Sequence, residues 1–102
     1  MYETYIQLGR GMVFEWDVKK ADANFRKHGI RFAESIPVFD DVFAITIRDD
    51  ESDHDEMRFV SIGTGAKGRV LIVVYCYRSS NIRIISARLA EPHERLPYEE
   101  NR

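Results

Sequence analysis

Arg58, Lys67, Arg69, Arg78, Arg83 and Arg88 stand in one stretch, Arg58 to Ala90, that contains no Asp or Glu. Two of them bracket the segment Arg83-Ile84-Ile85-Ser86-Ala87-Arg88. Ile82, Ile84 and Ile85 are β-branched and no Gly or Pro interrupts them, so this segment reads as a strand. A guanidinium keeps its charge at any working pH, and its planar fork matches phosphate oxygens. Arginines on a sheet with no acid to pair them suit a large anion, of which nucleic acid is the commonest in a cell. The plainer alternative is solvated charge that guards strand edges. Period-two alternation puts Arg83 and Arg88 on opposite faces, so an unbulged strand cannot aim both at one phosphate. If the following hairpin turns on Ser80-Asn81, Arg78 lies across from Arg83, a repulsive pair unless an anion sits between them.

His28 is the candidate for acid–base work, since its reference pKa lies near neutral. A helical wheel places it on a core-facing side with Val18, Ala21 and Phe25, which also fits a hydrogen-bonded core histidine. Lys27 lies off that face and suits either phosphate or solvent. Arg58 and Arg69 read equally as nucleic-acid backbone contacts or solvated charge. Ser86 suits orienting an arginine or a bound nucleic acid, or burial in the strand. Tyr75 and Tyr77 can stack on unpaired bases, but strand aromatics usually belong to the core. Tyr98 and Glu94 in the tail are further donors or bases without a geometry. Thr64-Gly65-Ala66-Lys67-Gly68 is too short for a phosphate-cradling loop.

The chain has 102 residues, 44% of them hydrophobic, enough for one modest core. Its formal charge of -2 excludes a wholesale basic coat and leaves room for a local patch. The run Asp49 to Glu56 holds six of the 17 acids and reads as a mobile loop. His54 within it matches no metal-site spacing. Cys76 is the sole cysteine, so no internal disulfide can form, which suits a reducing cytosol. No apolar run approaches the roughly 18 residues needed to span a membrane.

The elements that must position these groups follow in order. Met1 to Gly11 has no apolar signal segment and reads as a poorly ordered extension before a single domain over 12–102. Met12 to Trp16 is a strand, Asp17 a helix N-cap, Val18 to His28 a helix, and Gly29 its left-handed terminator. Phe32 to Phe39 reads as a second helix, shortened or bent at Pro37. Val42 to Ile47, Met57 to Ile62, Arg69 to Arg78 and Ile82 to Arg88 read as strands. Glu91 to Glu100 is a final helix with Pro92 in its first turn and Pro97 against its continuity. The result is an α+β domain, β-α-α-β-β-β-β-(α), with an antiparallel sheet and the two early helices on one face.

Phe14-Glu15-Trp16-Asp17, Lys20, Asn24, Lys27-His28-Gly29, Phe32 and Val38-Phe39-Asp40-Asp41 resemble the first half of the BrnT family. Arg83 to Arg88 and Tyr98-Glu99-Glu100 resemble its second half. The resemblance spans about Met12 to Glu100; Pro37, Val42 and Pro97 depart from it. It implies a RelE-like fold and a ribonuclease toxin of a type II toxin–antitoxin pair, acting in the cytoplasm. It also implies a BrnA-like ribbon-helix-helix antitoxin, a 2:2 assembly, and DNA contact through the antitoxin alone. Metal-independent cleavage by attack of the RNA 2′-hydroxyl needs a base, an acid and cations. Arg78, Arg83, Arg88 and His28 are the catalytic candidates, with one of Arg83 and Arg88 expected to be structural. Lys27, Arg58, Arg69 and Ser86 are the RNA-binding candidates, and no cofactor is expected. The competing reading is a non-catalytic module that binds RNA or a protein partner.

Overall fold

Asp17 is where strand becomes helix. Its carboxylate accepts from the Lys19 amide at 2.9 Å and caps α1 (Val18–His28). Gly29, at φ 71°, ends α1 by donating its N–H to the Phe25 carbonyl at 2.8 Å. The computed structural model describes residues 2–6, 11–49 and 56–102. Its strands are β1 (Tyr2–Ile6), β2 (Val13–Asp17), β3 (Ile45–Asp49), β4 (Arg58–Thr64), β5 (Val70–Arg78) and β6 (Asn81–Leu89), with α2 (Pro92–Glu100) at the end. The acidic stretch 50–55, with His54, lies outside the described residues, as do residues 7–10 of the expected extension.

The strands form one sheet in the order β1-β2-β6-β5-β4-β3. The expected antiparallel pairing holds along β3-β4-β5-β6. It does not hold between β2 and β6, which are parallel, in register at Phe14↔Ile82 and Glu15↔Arg83. The helices and the three-strand meander separate these strands, and such a crossover returns the chain in the same direction. Tyr2–Ile6 falls in the expected extension and pairs antiparallel with β2, from Tyr2↔Asp17 to Ile6↔Val13.

Residues Phe32–Asp40 form a 3-10 helix. Pro37 has no N–H to give a helical ladder, which accords with the tighter, shorter form. This segment and α1 cover one face of the sheet. Phe14, Trp16, Ile30, Phe32, Leu71, Val73 and Ile84 belong to a single buried cluster there. On α1 the expected apolar stripe is displaced by about one position, roughly 100°. Asn24 is the buried residue, while Phe25 is 39% exposed, with the Arg31 guanidinium carbon 3.9 Å from its ring centroid.

Asn24 is buried because it does a strand's work. Its amide donates to the Ala87 carbonyl at 2.8 Å and to the Ile30 carbonyl at 2.9 Å, and its oxygen accepts from the Ala87 N–H at 3.1 Å. β6 thereby recovers hydrogen bonds beyond its register with β2. Next to this point β6 is irregular: Val74 faces Ser86 and Tyr75 faces Ile84, so Ile85 is an extra residue. The bulge inverts the alternation. Ile84 and Ala87, three residues apart, both enter the core. Arg83 and Arg88 therefore share the opposite face, which an unbulged strand would forbid.

Replacing Asn24 with Ala strands the Ala87 amide and carbonyl in a buried place. We expect a loss of about 3 kcal/mol, read as a lower urea midpoint. A loss below about 1 kcal/mol would show that water replaces the amide.

Candidate functional site

The bulge of β6 and the outward side of α1 enclose a cleft of about 240 Å3, lined by Lys20, Ala23, Asn24, Lys27, His28, Ile85 and Ser86. Lys20, Asn24 and Lys27 recur at spacings of four and three, one side of a helix. Asn24 points into the sheet and fixes the roll of α1, and this roll places Lys20, Lys27 and His28 along the cleft that Ser86 also lines. Three of the residues singled out in the sequence, Lys27, His28 and Ser86, thus meet here.

His28 is half-buried and has no hydrogen-bond partner among the described residues. Burial lowers its pKa from the ordinary 6.5, and the positive charges of Lys27 and Arg88 lower it further. It is therefore held neutral near physiological pH. A neutral imidazole among cations has a lone pair able to take a proton, and nearby charge able to stabilise an anion.

The arginines are placed differently from the expectation drawn from their acid-free window. Carboxylates from outside that window reach them. Arg88 donates from both terminal nitrogens to Glu94, each bond 2.8 Å. Arg69 forks onto Glu34 at 2.9 and 2.6 Å. Arg78 pairs with Glu56, and Arg83 lies 3.6 Å from Glu15. The Arg83–Glu15 pair is mostly shielded, with side chains 17% and 13% exposed. Arg78 does not face Arg83: the turn closes on Arg78↔Asn81, with Ser79 at φ 56°, and Cys76 faces Arg83. Arg58 stands opposite Cys76 on one side and Asp49 on the other. Arg58, Arg69, Arg78, Arg83 and Arg88 do not line the cleft, although the Arg88 charge is felt at His28. Among the described residues, no three His, Cys, Asp or Glu side chains gather to hold a metal ion.

Three contributors were named in the sequence without the roles the structure gives them. Lys20 and Asn24 were visible as a helical stripe with Lys27, but the apolar wheel was weighted instead. Glu94 was visible as the third residue after Glu91. It closes a capping box by accepting from the Glu91 amide at 2.9 Å and ties α2 to Arg88.

Lys20, Lys27, His28, Ser86, Arg88 and Glu94 all fall within residues 16–94, which match a family model described as the ribonuclease toxin BrnT of type II toxin–antitoxin systems. The chain belongs to the BrnT family. The crystal structure of the Brucella abortus ribonuclease toxin BrnT is similar to it, with 25% sequence identity and a TM-score of 0.58. The likeness covers 74% of this chain and 92% of that one. No curated protein matches the chain. Membership in the BrnT family carries an antitoxin partner with it, and the α+β architecture agrees with that of the Brucella toxin.

The Arg88–Glu94 pair gives a pH prediction. Hydrogen bonds from Arg88, then from the Glu91 amide, lower the Glu94 pKa from 4.5 to about 2. A depressed carboxylate contributes stability above its unfolded pKa and loses it as pH falls through the folded one. Between about pH 4.5 and 2 the wild type should therefore lose more stability than Glu94→Gln, measured by thermal melts across that range. Parallel curves would refute the assignment.

Proposed function

We propose that this BrnT-family chain is a toxin that cleaves RNA in the α1–β6 cleft without a metal. The observation that carries this reading is His28, held neutral beside Lys27 in the cleft that Ser86 also lines, within the segment matched by the family. The imidazole takes the proton of an RNA 2′-hydroxyl, whose oxygen attacks the adjacent phosphorus. The imidazolium so formed returns the proton to the departing 5′-oxygen, leaving a 2′,3′-cyclic phosphate and a 5′-hydroxyl. Lys20 and Lys27 stabilise the phosphorane charge. Arg88 contributes through the N–H groups that Glu94 does not engage, and Ser86 orients the phosphate.

Arg83 belongs to the scaffold, joined to Glu15 across the β2–β6 pairing. Arg69 ties the turn before β5 to the 3-10 helix through Glu34. Arg78 and Arg58 lie away from the cleft and are assigned to charge on the sheet. We further propose a BrnA-like ribbon-helix-helix antitoxin as the partner, in a 2:2 assembly in the cytoplasm, with DNA contact left to the antitoxin. One observation favours a non-catalytic module instead: four arginines of the basic stretch are already matched by carboxylates, which leaves less free charge for RNA.

The deciding experiment is cleavage of a defined RNA in excess EDTA. His28→Ala should lower the rate by at least about 100-fold with RNA binding retained, and Lys27→Ala should lower it less. Because a base works when neutral, the acid limb of the wild-type rate profile should fall below pH 6.5 and vanish in His28→Ala. Unchanged cleavage by His28→Ala would overturn the assignment. Binding without cleavage by the wild type would favour the module.

A further inference from the structure

A second cavity, about 320 Å3 in volume, opens on the helical side of the β3-β4-β5 half of the sheet. Met12, Phe39, Thr46, Ser61, Tyr75 and Tyr77 are among its walls. Its size lies at the lower end of the roughly 300–1,000 Å3 of small-ligand sites. The aromatic rings form a connected group. Phe39 and Tyr75 meet at 4.7 Å between centroids, Phe59 and Tyr77 at 5.5 Å, and Tyr75 and Tyr77 at 5.9 Å. Tyr77 is 52% exposed, unusual for a member of a core aromatic group, and offers its ring to solvent.

The floor of this cavity is a chain of three hydroxyls. Thr46 Oγ1 and Ser61 Oγ are 2.7 Å apart, and Ser61 Oγ and Tyr75 Oη are 2.8 Å apart. Three hydroxyls bring three protons, and the two bonds between them use two. One O–H is left at one end of the chain and an accepting oxygen at the other. Asp41 also lines the cavity, but its carboxylate already accepts from Tyr98 and from the amides of Phe43 and Thr64. Its negative charge disfavours an anion, and the groups left for recognition are ring faces, one donor and one acceptor. That suits a flat, neutral heterocycle with polar edges and does not suit a phosphate.

The geometry points to a seat for one unpaired nucleobase of the RNA, stacked on Tyr77 and read at its edge by the Thr46–Ser61–Tyr75 hydroxyls. The inference rests on the ribonuclease reading above and adds a base-recognition site to it. Ile82, which lines the cavity, and Ser86, which lines the cleft, lie on the same strand. Four residues of strand span about 13 Å, and Ser86 turns to the side of the sheet away from the cavity, so an RNA strand that supplies a base to one and a phosphate to the other passes over an edge of the sheet.

The test uses a short single-stranded oligonucleotide, 2′-deoxy throughout so that it cannot be cleaved, and copies with one base removed at each position in turn. Binding is followed by fluorescence anisotropy. The wild type should lose about tenfold in affinity when one particular base is absent. Tyr77→Leu should bind the complete oligonucleotide about tenfold more weakly and be nearly indifferent to that same base. Thr46→Val should alter which base is preferred there. Both side chains are exposed, so neither change threatens the fold. If Tyr77→Leu keeps the wild-type affinity, or keeps the penalty for the missing base, the seat is refuted while RNA cleavage by the wild type still stands. If Tyr77→Leu loses the antitoxin and not the oligonucleotide, the cavity is a protein contact and the seat is refuted. A wild type that neither binds nor cleaves RNA refutes both readings.

Discussion

The three hydrogen bonds of Asn24 are the constraint on which the candidate site depends. A central strand needs partners on both sides, and β2 accompanies β6 for a short distance before turning into α1 at Asp17. A carboxamide carries a donor and an acceptor spaced like those of a peptide, so Asn24 can stand where the next strand residue would have been. No apolar side chain can do this, and an aspartate lacks the donor. The price is a polar group inside an otherwise apolar interface, acceptable because its neighbours satisfy it. The gain is a fixed roll for α1. One helix position either way would bury Lys27 or Phe25 and turn His28 from the strand.

The bulge at Ile85 is the complementary constraint on the other side of the cleft. It lets Ile84 and Ala87 both face the core, and it turns the intervening stretch outward at Ser86. Helix and bulge are therefore fitted to one another: Asn24 grips the strand at Ala87, two residues after the extra residue Ile85. Charge is arranged with the same economy. The arginine-rich sheet is balanced by Glu15, Glu34, Glu56 and Glu94, each brought from another part of the chain. Three of these pairs also tie elements together: Glu15 and Arg83 join β2 to β6, Glu34 and Arg69 join the 3-10 helix to the turn before β5, and Glu94 and Arg88 join α2 to the end of β6.

Much of the fold was legible in local chemistry. The Asp17 cap, the Gly29 terminator and the long apolar run of β5 are properties of a few adjacent residues, and the structure has them where the residues predict. The reading failed where the deciding partner lies far along the chain. Arginines that looked unpaired within their own window find carboxylates 6 to 68 residues away in sequence, counting Glu94 from Arg88 and Glu15 from Arg83. Phe25 looked like core because an apolar wheel cannot anticipate that a buried amide will claim the inward position. A bulge leaves no mark in composition, so the faces of Arg83 and Arg88 could not be assigned from alternation alone. Of the site, Lys27, His28 and Ser86 were named as separate residues, and their meeting was not foreseen.

The Asn24–Ala87 bonds join positions 63 residues apart, and the parallel β2–β6 pairing is longer still in reach. Such contacts close late, because the entropy of a long loop is lost before any bond repays it. During synthesis the amino-terminal helix emerges early and waits, with one wall of the cleft and nothing opposite. The meander can pair locally, but β6 completes the molecule. A partly made chain therefore has the imidazole and the lysines without Ser86 or Arg88. The cleft of this BrnT-family chain is therefore complete only once the last third of the polypeptide has been made.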